Sequence, residues 1–166
     1  LSIFGSVKAL SQYTPAELVE MGVDWVWVGY EGHRAGYEKQ QGRTYRRLFD
    51  DLRSHGISVQ ASMIIGFDYQ TPEIIREEFE ELMSLRPTMC QYLIYGPAPM
   101  TPLLARMKEA GRLRPEVFAD HRHTDGFTLS FHHPTIGKQE MSDIQRGLYR
   151  EEFRRLGPSV FRVVEA

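Results

Sequence analysis

Apolar runs that begin near residues 25, 58 and 90 recur at intervals of roughly 30 residues, the size of a strand–loop–helix unit. A shorter run, Ile3-Phe4, precedes them and is closed by Gly5. The runs are Trp25 to Val28, Ile57 to Ile65 and about Gln91 to Tyr95. Trp25-Val26-Trp27-Val28 is continuously apolar rather than alternating, the pattern of a strand buried on both faces. Amphipathic segments separate the runs. Thr14-Pro15-Ala16-Glu17 has capping-box spacing with proline at the first helical position. Tyr45, Leu48, Phe49 and Leu52 follow at helical spacing, with Gly56 able to end that helix. Thr71-Pro72 opens a helix with Ile75, Phe79 and Leu82 on one face. Thr101-Pro102 opens another, with Leu103, Leu104 and Met107 expected inward and Gly111 at its end. Four such units in a row imply a parallel sheet with right-handed crossovers. Either a doubly wound sheet or part of a (β/α) barrel satisfies that pattern.

After Arg112 the pattern changes. Residues 113–136 are rich in His, Asp, Pro and Thr, with one short apolar patch at Phe127-Thr128-Leu129. A last helix is expected from Gly137 to Leu156, stopped by Gly157-Pro158. The expected fold is α/β: a partial (β/α) barrel of about four parallel βα units over 1–112, and a C-terminal helical appendage over 113–166 packed on the barrel. No low-complexity linker separates them, so 166 residues read as one structural domain.

Composition narrows the function classes. Lys and Arg total 20 against 22 Asp and Glu, a formal charge of -2, so there is no overall electrostatic footprint for nucleic acid. No apolar run approaches the ~20 residues of a membrane helix, and the first residues lack a signal-peptide core. A single cysteine, Cys90, excludes an intrachain disulfide and fits a cytoplasmic location. It also excludes an iron–sulfur cluster ligated by cysteines of this chain alone. The chain begins with Leu1 rather than Met, which reads as processing or as a fragment.

In parallel α/β folds, sites gather at the carboxyl ends of the strands. Three loops qualify: 30–42, 66–70 and 96–100. Glu31, just after a strong strand, could accept hydrogen bonds from a ligand or simply be a solvated loop residue. Gly66 permits close backbone approach, or makes a tight turn. Asp68 could bind a ligand or cap the next helix. His121, His123, His132 and His133 form a loose cluster that matches no metal-ligand spacing, so no metal site is assigned. His33 and His55 read as surface or capping groups. Cys90 reads as a core thiol. Arg46-Arg47 and Arg154-Arg155 read as solvated helix faces. No phosphate-binding glycine loop or nucleophile elbow is present.

Several ordered segments carry a resemblance. Gly22 to Gly32, GVDWVWVGYEG, resembles the fourth-strand segment of radical S-adenosylmethionine (SAM) enzymes. His55 to Glu73, HGISVQASMIIGFDYQTPE, is similar to their fifth-strand segment, which packs near the adenine of SAM. Gln91 to Leu103, QYLIYGPAPMTPL, resembles the sixth strand and the turn after it, and Glu109 to Leu113 continues as in the family. Gly157-Pro158-Ser159 is similar to an element in the tails of the cobalamin-binding subgroup.

The resemblance implies a fragment of a radical SAM Fe–S oxidoreductase, about barrel strands three to six plus the tail. Family members hold a [4Fe–4S] cluster through CxxxCxxC and reductively cleave SAM to a 5′-deoxyadenosyl radical. Those cysteines would lie in a missing N-terminal barrel half, so this chain alone is expected to be inactive and to bind no cofactor tightly. Cobalamin is a further cofactor that the subgroup resemblance raises. Carried over by position, Glu31, Ile64, Ile65, Gly66 and Phe67 fall at the cofactor, and Tyr95 and Pro97 at the substrate rim. Gln70 stands where relatives often carry Glu, and Met100 replaces the usual Gly before Thr-Pro. Half a barrel exposes apolar inner surface and open strand edges, so the isolated chain is expected to form a homo-oligomer. The alternatives are a non-catalytic α/β binding or interaction module and a zinc hydrolase built on the histidines.

Overall fold

The computed structural model describes residues 1–30, 34, 43–118 and 125–164. The elements run β1 (Ser2–Phe4), α1 (Val7–Leu10), α2 (Pro15–Glu20), β2 (Trp25–Tyr30), α3 (Tyr45–Arg53) and β3 (Ser58–Ile65). Then come α4 (Pro72–Ser84), β4 (Met89–Ile94), α5 (Pro102–Glu109), α6 (Pro115–Phe118), α7 (Lys138–Leu156) and α8 (Ser159–Val164). The strands form a parallel sheet in the order β1-β2-β3-β4. That sequential order separates the two architectures left open by the sequence. With right-handed crossovers, each strand added on the same side puts its helix on the same face, as in a barrel. A doubly wound sheet reverses its strand order to cover both faces. The chain is therefore α/β with the strand order of a partial barrel.

The chain divides into two compact units, Leu1–Met63 with Glu78–Gln91 and Arg150–Ala166, and Ile64–Glu77 with Tyr92–Tyr149. In the first, register fixes two unlike sheet faces. Val26, Val28 and Tyr30 pair with Val59, Ala61 and Met63, and all six are buried. The alternate residues Trp25, Trp27 and Gly29, paired with Ser58, Gln60 and Ser62, face the other way. There Trp25, Trp27, Gly29 and Ser62 are half-buried, and Phe4, register partner of Trp27, is 76% exposed. The continuous apolar run of β2 thus does not mean burial on both faces. Its tryptophans continue the run across a face that is only partly buried, with Ser58 and Gln60 buried on it and an open groove beside Trp27, Gly29 and Ser62.

Local chemistry sets the helix starts as expected. Thr14 Oγ1 accepts from the Glu17 amide at 3.2 Å, and the Glu17 carboxylate accepts from the Thr14 amide at 2.7 Å, completing the capping box. Thr44 Oγ1 caps α3 by accepting from the Arg47 amide at 3.2 Å, without the reciprocal bond. Across this unit, Val59 and Thr88 exchange bonds: the Thr88 amide donates to the Val59 carbonyl at 2.9 Å, and the Val59 amide donates to Thr88 Oγ1 at 3.1 Å. Two arginines read as solvated prove to be pins. Arg46 donates to Ser84 Oγ at 2.8 Å, and Arg155 pairs with Glu80 and Glu151 over the Phe79 ring. Long-range partners of this kind leave no periodic signal.

In the second unit, the stretch read as a polar tail supplies core. Leu129 and Phe131 are fully buried and Ile136 nearly so, and Leu113 bridges Phe131. Gln145 of α7 donates to the Tyr92 carbonyl at 2.7 Å and to the Gly126 carbonyl at 3.2 Å, and the Ile94 amide also donates to the Gly126 carbonyl. This ties α7 and the 125–136 loop to β4. Thr71 and Thr101 cap α4 and α5. On α5 only Met107 of the three expected inward residues is buried; Leu103 and Leu104 are half-buried. Among the described residues, no helix is long and apolar enough to cross a membrane.

Candidate functional site

The carboxyl end of β3 turns at Gly66-Phe67-Asp68-Tyr69-Gln70, and the turn is fixed from within. Gly66 sits at φ +94°, where a side chain is strained. A Cβ there would also stand 3.2 Å from Met141 Cε. The close approach that glycine allows is thus made by the buried Met141. Gln70 is fully buried, and its Oε1 accepts from the Gly66 amide at 2.6 Å and the Phe67 amide at 2.9 Å. Gln supplies the carbonyl oxygen that both amides need, without burying a charge.

Two further groups hold the turn. His133 is buried, with Nε2 2.9 Å from the Phe67 carbonyl. Its Nδ1 accepts from the Thr135 and Ile136 amides at 3.2 and 3.1 Å, so Nε2 carries the proton. Both ring nitrogens are thereby spent on backbone. Asp68 forms a bidentate pair with Arg112 at 2.6 and 2.7 Å, and the Arg112 guanidinium lies 5.3 Å from the Phe131 ring centre. That hydrogen bonding holds the Asp68 carboxyl below its usual range and the Arg112 guanidinium above its own.

With its polar groups internally satisfied, the turn offers rings. Phe67 stacks on Tyr69 at 5.7 Å with planes 10° apart, and meets Tyr95 at 4.6 Å. Tyr95 meets Phe131 edge-on at 6.1 Å. Phe67 and Phe131 are buried, so Tyr69 and the half-buried Tyr95 are the rings of this group with open surface.

The first unit contributes a groove on its uncovered sheet face. It has a volume of about 440 Å³ and is lined by Phe4, Gly5, Ser6, Trp27, Gly29 and Ser62. The Phe4 and Trp27 rings stack at 4.5 Å. On the opposite face, Tyr30 closes β2 with its hydroxyl donating to Glu81 at 2.9 Å, and burial, then Glu81, pushes the Tyr30 phenol well above its ordinary pKa. The Tyr45 hydroxyl donates to the Gly29 carbonyl at 2.9 Å, fixing that glycine from behind.

The residues singled out by sequence fall as follows. Ile64 is half-buried, while Ile65, its neighbour on the opposite strand face, is fully buried. Phe67 is buried, Tyr95 is half-buried and Pro97 is buried. Glu31 lies outside the described residues, as do His33, His121 and His123. His132 is exposed, and its carbonyl accepts from Arg112 at 3.1 Å. His55 caps the end of α3, with Nδ1 2.9 Å from the Asp51 carbonyl. Met100 adopts φ +62° at 99% exposure, so it keeps the glycine-like backbone of the turn that its identity put in question. Asp68 neither caps α4 nor stands open to a ligand. Gln70, Arg112 and His133 are the pins that sequence reading assigned no such role. Only the unusual Gln at 70 hinted at one of them.

Cys90 is buried, and it is the chain's one cysteine. The residues present therefore do not fit a [4Fe–4S] cluster, which needs three thiolates at one point. Among the described residues, no three potential metal ligands converge. No family model matches the chain, and no curated protein matches it.

Proposed function

We propose that this chain is the C-terminal part of a radical SAM enzyme barrel and forms one wall of its cofactor and substrate chamber. The observation that carries the reading is the uncovered sheet face. Strands in barrel order bury one face under helices and leave the other lined by Trp27, Gly29, Ser62 and Phe4. Gly29 and Ser62 are register partners, so small groups lie side by side beside two large rings. That makes a recess in a sheet, the form of a ligand wall rather than of a packed core. The turn at 66–70 supports the same reading, since Tyr69, stacked on the buried Phe67, presents a ring that suits an adenine face, and its backbone is already fixed.

In such an enzyme the cluster, when bound, supplies the electron that cleaves SAM to methionine and a 5′-deoxyadenosyl radical. Its thiolates come from outside this chain. What this chain does is shape, exclude water from and orient the pocket. A cobalamin-dependent chemistry belongs to the same proposal through the Gly157-Pro158-Ser159 element alone.

The test is the coding sequence upstream of Leu1 and the protein it encodes. The expected result is an in-frame CxxxCxxC in a preceding strand–loop–helix. The longer protein, reconstituted anaerobically with iron and sulfide and reduced, should release 5′-deoxyadenosine from SAM. A local start codon with no such motif, or a reconstituted protein that forms no 5′-deoxyadenosine, would overturn the reading.

A further inference from the structure

A second cavity lies in the first unit, away from the carboxyl ends of the strands. It has a volume of about 390 Å³ and is lined by Arg53, Arg86, Pro87, Thr88, Arg155, Leu156 and Arg162. Four of its seven residues are arginines. The elements that bring them together all end here: α3 at Arg53, α4 at Ser84 and α7 at Leu156, with Thr88 leading into β4. Helix C-termini present carbonyls, and some of the guanidinium donors serve them. Arg53 donates to the Arg86 carbonyl at 2.9 Å, and Arg162 donates to the Pro87 carbonyl at 3.1 Å.

Carboxylates answer three of the four charges. Asp50 pairs with Arg53, Glu80 and Glu151 pair with Arg155, and Glu152 pairs with Arg162 at 2.8 Å. Structural work accounts for these groups, and two features remain. The Arg162 Nε is buried and has no hydrogen-bond partner among the described residues. A buried N–H without a partner is rare, and none of the described residues answers this one. The Arg86 side chain has no ion pair or hydrogen bond among the described residues. Its backbone is also held at φ +52°, just past α4, where glycine would sit without strain. A left-handed backbone position occupied by a charged side chain with no partner among the described residues points to use at that position.

We propose that this pocket binds a phosphate group. Arg86 is its contact at the mouth, and Arg162, held rigid by Glu152 and the Pro87 carbonyl, lines the wall and lends its charge. Arginine forks match phosphate oxygens, and guanidiniums already pinned by carboxylates lose little freedom on binding. The volume falls in the range of small-molecule pockets, leaving room for an organic group beside the phosphate. This site does not depend on the reading of the uncovered sheet face.

The experiment is calorimetric titration of the full chain with inorganic phosphate and, separately, with ribose 5-phosphate at low and high salt. Both probes should bind, compete with each other and weaken as salt rises. Arg86→Gly is the decisive variant, because glycine suits the backbone there and the melting temperature should hold or rise. It should weaken both probes by about tenfold, the scale of one charge-assisted hydrogen bond. Tighter binding of ribose 5-phosphate identifies a phosphate ester as the ligand, and equal binding identifies free phosphate. Absence of heat with either probe, or unchanged affinity in Arg86→Gly, would overturn the proposal and leave the arginines as helix-end pins.

Discussion

The two faces of β1–β3 are built from alternate residues of the same strands, yet they follow different rules. On the covered face, Val26, Val28, Val59, Ala61 and Met63 are all at most 3% exposed. On the other face Ser58 and Gln60 are buried, but the two tryptophans are only half-buried, and Trp27, Phe4, Gly29 and Ser62 line an open groove. Large rings left half-exposed beside Gly29 and Ser62 are not what folding of this chain alone requires. The difference separates residues packed against described partners from residues that the described part of the chain leaves partly open.

Truncation on each face should sharpen that contrast most. Met63→Ala on the covered face is expected to cost about 2–5 kcal/mol, a transfer loss plus a cavity. Trp27→Ala, a larger deletion, loses its stack with Phe4 and the area of a half-buried ring but leaves no enclosed cavity, so it should cost less than Met63→Ala. Paired urea melts measure both. A Trp27 cost equal to that of Met63 would erase the distinction.

The turn at 66–70 is the polar counterpart of the covered face, because its partners are internal. Gln70→Leu leaves the Gly66 and Phe67 amides buried and unanswered, and should cost about 2 kcal/mol or more. Gln70→Glu keeps an acceptor for both and should cost less at pH 7. Thermal denaturation of the pair reads the order.

The smallest effect is expected from Asp68 and Arg112. The carboxylate side chain is 51% exposed, so solvent screens the pair to about 1 kcal/mol or less. Its folded pKa lies below the unfolded value of about 3.9. Its contribution is therefore whole above that value and fades as pH falls through the folded pKa. Asp68→Asn should remove that part of the acid sensitivity, as seen in melting temperatures taken from pH 7 to pH 2.

How much of this was legible follows the same division. The strand starts at Trp25, Ser58 and Met89 sit at or next to the expected positions, since continuous apolar runs and Thr caps are local signals. α1 and α8 were not expected: α1 is four residues long, and α8 follows a Gly-Pro stop. The core role of Leu129, Phe131 and Ile136 was hidden because a loop carries no period. Gln70 was visible only as an odd residue. Arg112 finds Asp68 44 positions away, and His133 finds Phe67 66 positions away, distances at which sequence spacing says nothing. At the candidate site, residue types could be read, but face could not. Ile64 and Ile65 are adjacent in sequence and differ in exposure because strand side chains alternate.

The chain has two tryptophans, Trp25 and Trp27, and both lie on the uncovered face, so its native fluorescence reports on that face alone. The most direct measurement is acrylamide quenching of this emission in two samples. One is the chain at a dilution where light scattering gives a monomer, and the other is the longer protein that the proposal expects the upstream coding sequence to encode. If the face is one wall of a chamber completed from upstream, the longer protein should emit to the blue and resist quenching. Equal emission and equal quenching in both would contradict the account.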